Sequence, residues 1–231
     1  MELSTAIAES FRLLFSFDAT LWNIIGVSMK VSLTALLIAT PPAVVLGFAL
    51  ATVPFRGRRA CVVVLQSFLS FPTVVVGLVL YVLLARSGPF GHWGLLYTQE
   101  AMIAGQAMIA FPVLAAFTLA AVQGVDRSVR ETALSLGASR LRASLTTLFE
   151  VRFAVMAGVF NGFGRVISEV GCAMMVGGNI AGLTRSIPTA ISLETAKGEF
   201  AQGIALGMVL IVLALGVNAL LNYFQGEGGM K

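Results

Sequence analysis

DRSVRETALSLGASRLRASLTTLFE, residues 126–150, is the one long polar insert in an otherwise apolar chain, and the fold turns on how it is read. It carries Arg127, Arg130, Arg140 and Arg142, four of the fifteen cationic residues. Ser128 and Glu131 have the S-x-x-E spacing of a capping box, which predicts a helix beginning at Val129. Gly137 should end it, because a helix stop commonly needs one residue in the left-handed conformation. Ser139 can then cap a second helix that leads into the next apolar segment. A short capped helix held between membrane segments suits one task above others, docking into a groove on a partner.

The surroundings of the insert set the class. The 231 residues are 58% hydrophobic and 11% charged, whereas soluble domains carry about 25% charged residues. At about 20 residues per crossing, such a chain supplies four to six spans and one membrane domain. The net charge of +4 belongs to loops facing the cytoplasm and argues against a nucleic-acid partner. Cys61 and Cys172 both fall in apolar stretches, so they form neither a disulfide framework nor a metal site. His92 has no partner at ligand spacing and reads as a loop residue near the membrane surface.

Five spans are expected. The first runs from Leu21 to Val53 and contains Pro41-Pro42, where a kink or break is expected. The second covers Ala60 to Leu84 and the third Gln99 to Gln123, each with a Phe-Pro near its middle (Phe71-Pro72 and Phe111-Pro112). Carbonyls freed at such prolines must be satisfied by neighbouring helices or by a wet cavity; packing curvature and a gating hinge both fit. The fourth span runs from Val151 to Val176 and the fifth from Phe200 to Phe224. Ahead of them, Leu3, Ile7, Phe11 and Leu14 recur at helical spacing, so residues 1–17 read as an amphipathic interfacial helix rather than a signal peptide. The permease domain is then 18–224, with 225–231 as a tail.

Charge orients the chain. Arg56, Arg58, Arg59, Arg127, Arg130, Arg140, Arg142, Arg152 and Lys231 fall on one side; Arg12, Lys30, Arg86, Arg185 and Lys197 fall on the other. The richer side is cytoplasmic by the positive-inside rule. This places the N-terminus outside, and the insert and C-terminus inside. Trp22, Trp93 and Tyr97 mark the outer interface, and Tyr223 and Phe224 the inner one.

Several polar or small residues within the spans ask for a reason. Arg165 and Glu169 lie one helical turn apart in GRVISEVG, where a mid-bilayer charge costs at least ~2.5 kcal/mol. At i, i+4 they can neutralise each other, or Arg165 can lend an anion path its positive potential while Glu169 moderates it. The outer loop 177–199 offers Asn179, Thr184 and Arg185 as donors to an anion, and a solvated loop accounts for them equally well. Gly158 with Gly162, and Gly203 with Gly207, allow close helix approach, either inside the chain or at a dimer seam.

Glu131-Thr132-Ala133, with Gly137 six residues after the glutamate, resembles the EAA loop of ABC-importer permeases. Where that family commonly carries Leu-x-Pro, this chain has Phe149-Glu150. GRVISEVG, MMVGGNI, PTVVVGL and SLETAKGEF resemble the oxyanion branch of these permeases, which serves molybdate, sulfate and tungstate, and are most like tungstate permeases. The resemblance implies an all-α integral-membrane protein with the type I ABC-importer permease fold, working as a homodimer in a prokaryotic inner membrane. It implies Ser128, Glu131, Thr132, Ala133, Gly137, Ala138 and Ser139 as the coupling residues. ABC ATPase subunits would dock there, holding the ATP and Mg²⁺, and an extracytoplasmic oxyanion-binding protein would deliver the cargo. The chain itself would bind no cofactor. It contains no G-x-x-x-x-G-K-[ST] phosphate loop and no H-E-x-x-H or nucleophile elbow, so it reads as a transport subunit and not an enzyme. A stand-alone secondary transporter would call for repeated halves with matched mid-membrane ionisable residues, and only one charged pair is found.

Overall fold

The computed structural model describes residues 12, 16 and 18–225. The expected interfacial helix at 1–17 and the tail beyond Gln225 therefore lie almost wholly outside the described residues. Among those described, every regular element is helical.

The first helix, α1 (Ala19–Thr52), starts where the Asp18 carboxylate accepts from the Leu21 N–H at 2.9 Å. It stops at Val53, whose extended backbone is the one favoured before Pro54. At 34 residues it is about 51 Å long against a hydrocarbon core of about 30 Å. No break occurs at Pro41-Pro42; the helix runs through both. Two neighbouring features help to account for this. Leu37 and Ile38, whose carbonyls lose their donors, are exposed on the outer face. On the inner face Val31, Ala35, Ala39, Ala43 and Gly47 form a buried stripe at four-residue spacing.

That stripe packs on α4 (Gln99–Gln123), after two shorter helices, α2 (Arg58–Leu69) and α3 (Thr73–Leu84). A Cβ at Gly47 would overlap the Ala115 carbonyl oxygen and come within 2.8 Å of Thr118 Cβ. In lipid such close approach matters more than apolarity, because the surrounding chains are as apolar as the helices. α4 begins at Thr98, whose hydroxyl accepts from Ala101 N–H at 3.4 Å and donates to Leu95 O at 2.7 Å. It is the central helix, with α1, α2 and α3 packed around it.

The expected second span is not one helix. α2 and α3 meet at 97° across Ser70–Pro72, a break rather than a kink. The fourth is also divided. After α5 (Arg127–Ser135) and α6 (Arg140–Glu150), α7 (Arg152–Ile167) ends well short of Val176, and a separate α8 (Gly171–Gly177) follows. α9 (Ile187–Lys197) and α10 (Phe200–Gln225) complete the chain. Three helices, α1, α4 and α10, are individually long and apolar enough to cross a bilayer. The bent pairs α2–α3 and α6–α7 raise the number to as many as five.

α7 packs on α4 through its glycines. A Cβ at Gly158 would come within 2.7 Å of Phe117 Cβ, and one at Gly162 within 3.3 Å of Leu114 and Leu36. This pair therefore serves packing inside the chain, whereas Gly207 on α10 has no atom of the described residues within 4 Å of a built Cβ. α8 packs on α3 just as closely, since a Cβ at Gly77 would lie 2.8 Å from Cys172 Cα.

Candidate functional site

The polar insert folds as two helices joined at a glycine, as its sequence predicts, but its start is different. The N-cap is Asp126, whose carboxylate accepts from the Ser128 N–H at 2.9 Å, so α5 begins at Arg127 and not Val129. An aspartate already two residues upstream supplies the acceptor that a Ser128 capping box would have provided. The helix ends as expected. Gly137 takes φ +84°, its N–H donates to Leu134 O at 3.0 Å, and the Ala138 N–H donates to Ala133 O at 3.0 Å. These two bonds satisfy carbonyls that a helix end leaves open. Ser139 then caps α6, accepting from the Arg142 N–H at 3.3 Å.

Along α5 and the turn that ends it, Ser128, Glu131, Thr132, Gly137 and Ser139 are exposed, and Ala133 and Ala138 half-buried. Sequence reasoning missed the apolar tip of α5. Leu136, between helix and glycine, is 83% exposed. It stands at the C-terminal end of α5, near the middle of the polar insert. Behind α5, Glu131 and Asp126 line a polar cavity of about 560 Å³ with Arg58, Thr52 and Thr147. Arg58 is spent on the chain itself, donating to Leu50 O and Ala51 O at the end of α1.

α6 passes into α7 at an elbow of 59°. No proline makes this bend. Arg152 stacks over the Phe149 and Phe153 rings, 4.1 and 4.4 Å from their centroids, and donates to Phe149 O at 2.8 Å. These contacts of the exposed Arg152 bridge the end of α6 and the start of α7 at the elbow.

Of the two alternatives for Arg165 and Glu169, the ion pair does not form. The i, i+4 geometry requires a helix through both positions, and α7 stops at Ile167. Glu169, 8% exposed, instead accepts from the Cys172 N–H at 2.9 Å, satisfying a first-turn donor of α8 from the position before its Val170 N-cap. Arg165 reaches the other break, donating to Leu69 O at 3.4 Å, the carbonyl left open where α2 ends. It also lines a groove of about 280 Å³ with Phe160, Asn161, Ala214 and Val217 between α7 and α10.

The loop after α8 is built rather than loose. Gly178 and Asn179 are both left-handed, with φ of 68° and 51°. Asn179 donates to Thr189 O at 3.3 Å. Thr184, fully buried, donates to Gly177 O and accepts from the Ile180 N–H at 3.0 Å. Their donors are thus engaged with backbone. Arg185 is half-buried, its Nε without a hydrogen-bond partner. Ser186 and Thr189 cap α9 reciprocally, and the Ile187 N–H donates to Ser28 Oγ on α1 at 2.7 Å. Within SLETAKGEF, buried Glu194 pairs with Lys197 at 3.1 Å. On the same end, Tyr81 and Tyr97 set their rings edge to face in a cavity of about 490 Å³. Hydrogen bonding to Tyr81 raises the Tyr97 phenol above its ordinary pKa.

Residues 43–226 match the family described as "Binding-protein-dependent transport system inner membrane component". The chain is 39% identical over 225 residues to the tungstate uptake system permease protein TupB of Peptoclostridium acidaminophilum, covering 96% of this chain and 99% of that one. It is 40% identical to the probable anion ABC transporter permease protein of Haloferax volcanii, over 86% of this chain and 88% of the other. Identity to the molybdenum transport system permease protein ModB of Escherichia coli is 29%, over 87% and 90%. A solved bacterial alginate ABC transporter, in complex with a periplasmic protein bound to an alginate pentasaccharide, has the same fold. Its TM-score is 0.73 at 20% identity, with 92% of this chain and 80% of that one covered.

Proposed function

The chain belongs to the family of binding-protein-dependent transport system inner membrane components, and from that premise we propose that it is the permease subunit of an ATP-driven tungstate importer. The single observation carrying this reading is the α5 surface, a capped helix ended by Gly137 with Leu136 bare at its tip. The identity to tungstate permeases, well above that to a molybdenum permease, supports the cargo. Two copies of the chain surround a central path. ABC ATPase subunits, which hold ATP and Mg²⁺, engage Ser128, Glu131, Thr132, Ala133, Gly137, Ala138 and Ser139 from the cytoplasm, while a binding protein delivers the oxyanion from outside. The N-terminus lies outside and the C-terminus in the cytoplasm.

Closure of the ATPases displaces α5. The displacement passes through the turn at Gly137 and along α6 to the Arg152 elbow. The elbow turns α7, which is locked to α4 by Gly158 and Gly162 and tied to the α2–α3 break by Arg165. The bundle thereby shifts between inward- and outward-open populations, driven by whichever state the ATPases bind better. The test is uptake by vesicles reconstituted with this chain, its ATPase and its binding protein. Tungstate uptake that requires ATP and exceeds molybdate and sulfate uptake is expected. Uptake led by molybdate or sulfate would overturn the cargo, and uptake independent of ATP would overturn the mechanism.

A further inference from the structure

An apolar groove of about 700 Å³ opens between α1, α2 and α4, on the half of the bundle nearest the 126–150 insert. Its walls are Pro42, Leu46, Val64, Phe68 and Phe111, with the small Ala60 among the lining residues. Along α1 it extends from Ile38 to Leu50, about 18 Å at 1.5 Å per residue. A hydrocarbon core is about 30 Å thick, so the groove spans roughly one leaflet.

The mouth of the groove, at Leu50, Ala60 and Cys61, lies under the turn that joins α1 to α2. That turn carries three arginines. Arg58 is engaged with Leu50 O and Ala51 O, and it shares its cavity with Asp126 and Glu131. Arg56 and Arg59 are exposed, line neither cavity, and have no acidic residue near them in sequence from Ala19 to Ser70.

We propose that this groove binds an anionic glycerophospholipid, with one acyl chain between α1, α2 and α4 and its phosphate between Arg56 and Arg59. The charge complementarity selects this occupant. A second copy of the chain would fill the groove with side chains but would leave two juxtamembrane cations unmatched at its mouth, whereas a lipid satisfies both at once. Arginines at the edge of a bilayer draw anionic headgroups in this way, and the planar guanidinium pairs with phosphate in two parallel hydrogen bonds.

The test uses the full-length chain reconstituted in nanodiscs of phosphatidylglycerol and phosphatidylcholine in equal amounts, then extracted gently and analysed by native mass spectrometry. One retained phosphatidylglycerol per chain is expected, favoured over phosphatidylcholine by about thirtyfold, as two paired charges would give. Arg56→Gln with Arg59→Gln should remove the preference, and Arg56→Lys with Arg59→Lys should keep most of it. Ala60→Phe, which narrows the mouth, should lower retention of both lipids. Both arginines are exposed, so the glutamine pair leaves the packed helices untouched. An unchanged preference in that pair would overturn the proposal. So would efficient oxidative linking of Cys61 between two copies without retained lipid, because a second chain would then occupy the groove.

Discussion

The Arg165 guanidinium donates to the Leu69 carbonyl oxygen at 3.4 Å, although 96 positions separate them in the chain. Both lie beside breaks in the helical ladder, Leu69 where α2 stops and Arg165 in the last turn of α7. The second break is served separately by Glu169, which accepts from the Cys172 N–H. The two charges thus tend two different interruptions instead of each other.

Independence of Arg165 and Glu169 is measurable. A paired arrangement would make Arg165→Ala and Glu169→Ala compensate when combined. Since the groups do not meet, the double mutant should lose about the sum of the single losses, within ~0.5 kcal/mol. Glu169→Ala should cost about 1 kcal/mol or more as a lost buried hydrogen bond to the Cys172 N–H, and Glu169→Gln, which keeps an acceptor, less. Thermal unfolding of the purified chain in detergent checks this.

Gly137 has φ +84° and open space around a built Cβ, so substitution there costs backbone strain alone. Gly137→Val should lose about 1–2 kcal/mol locally while the chain still inserts in the membrane. Gly137→Asn should be milder, because asparagine tolerates the left-handed region. The readout is ATPase co-purification, expected to weaken in the order Gly, Asn, Val.

Leu136 makes the companion test. Being 83% exposed, it contributes little to the fold, and Leu136→Asp should leave the yield of folded chain unchanged. ATPase association should fall by about tenfold or more, in line with loss of an apolar anchor of 1.4 kcal/mol or above. Retained association would remove the α5 tip from the docking surface.

Gly47 and Gly207 should respond oppositely to the same change. Gly47→Ala drives a methyl into the Ala115 carbonyl and Thr118, and overpacking of this kind costs about 1–3 kcal/mol. Gly207→Ala meets nothing within 4 Å among the described residues. The fraction surviving size-exclusion after mild heating should drop for the first and hold for the second.

Sidedness can be read with single cysteines after Cys61, which is exposed, has been replaced. Ser139→Cys should react with a membrane-impermeant thiol reagent only from the cytoplasm, and Leu183→Cys only from outside. Leu183 is 59% exposed, whereas Ser186 is buried against Thr189 and would report poorly. Labelling of both from one face would overturn the orientation.

The sequence by itself determined the features governed by composition or by a few adjacent residues. Its apolarity fixed a helical membrane protein, and the limits of α4 follow from a mostly apolar run between the Thr98 cap and Gly124. The Ser139 cap and the left-handed Gly137 were legible because each depends on chain within five residues. Tertiary structure decided what depends on distant neighbours. Two prolines leave α1 whole while one divides α2 from α3, and proline chemistry is the same in both. What differs is the surroundings: the small-residue stripe of α1 packs against α4 in the first case, and the Arg165 guanidinium reaches the carbonyl left open beside the break in the second. The partners of Glu169, Asn179 and Thr184 were hidden for the same reason. A side chain's spacing states which groups it can reach along a helix, but only the folded chain settles where the helix ends and which backbone group is left open beside it.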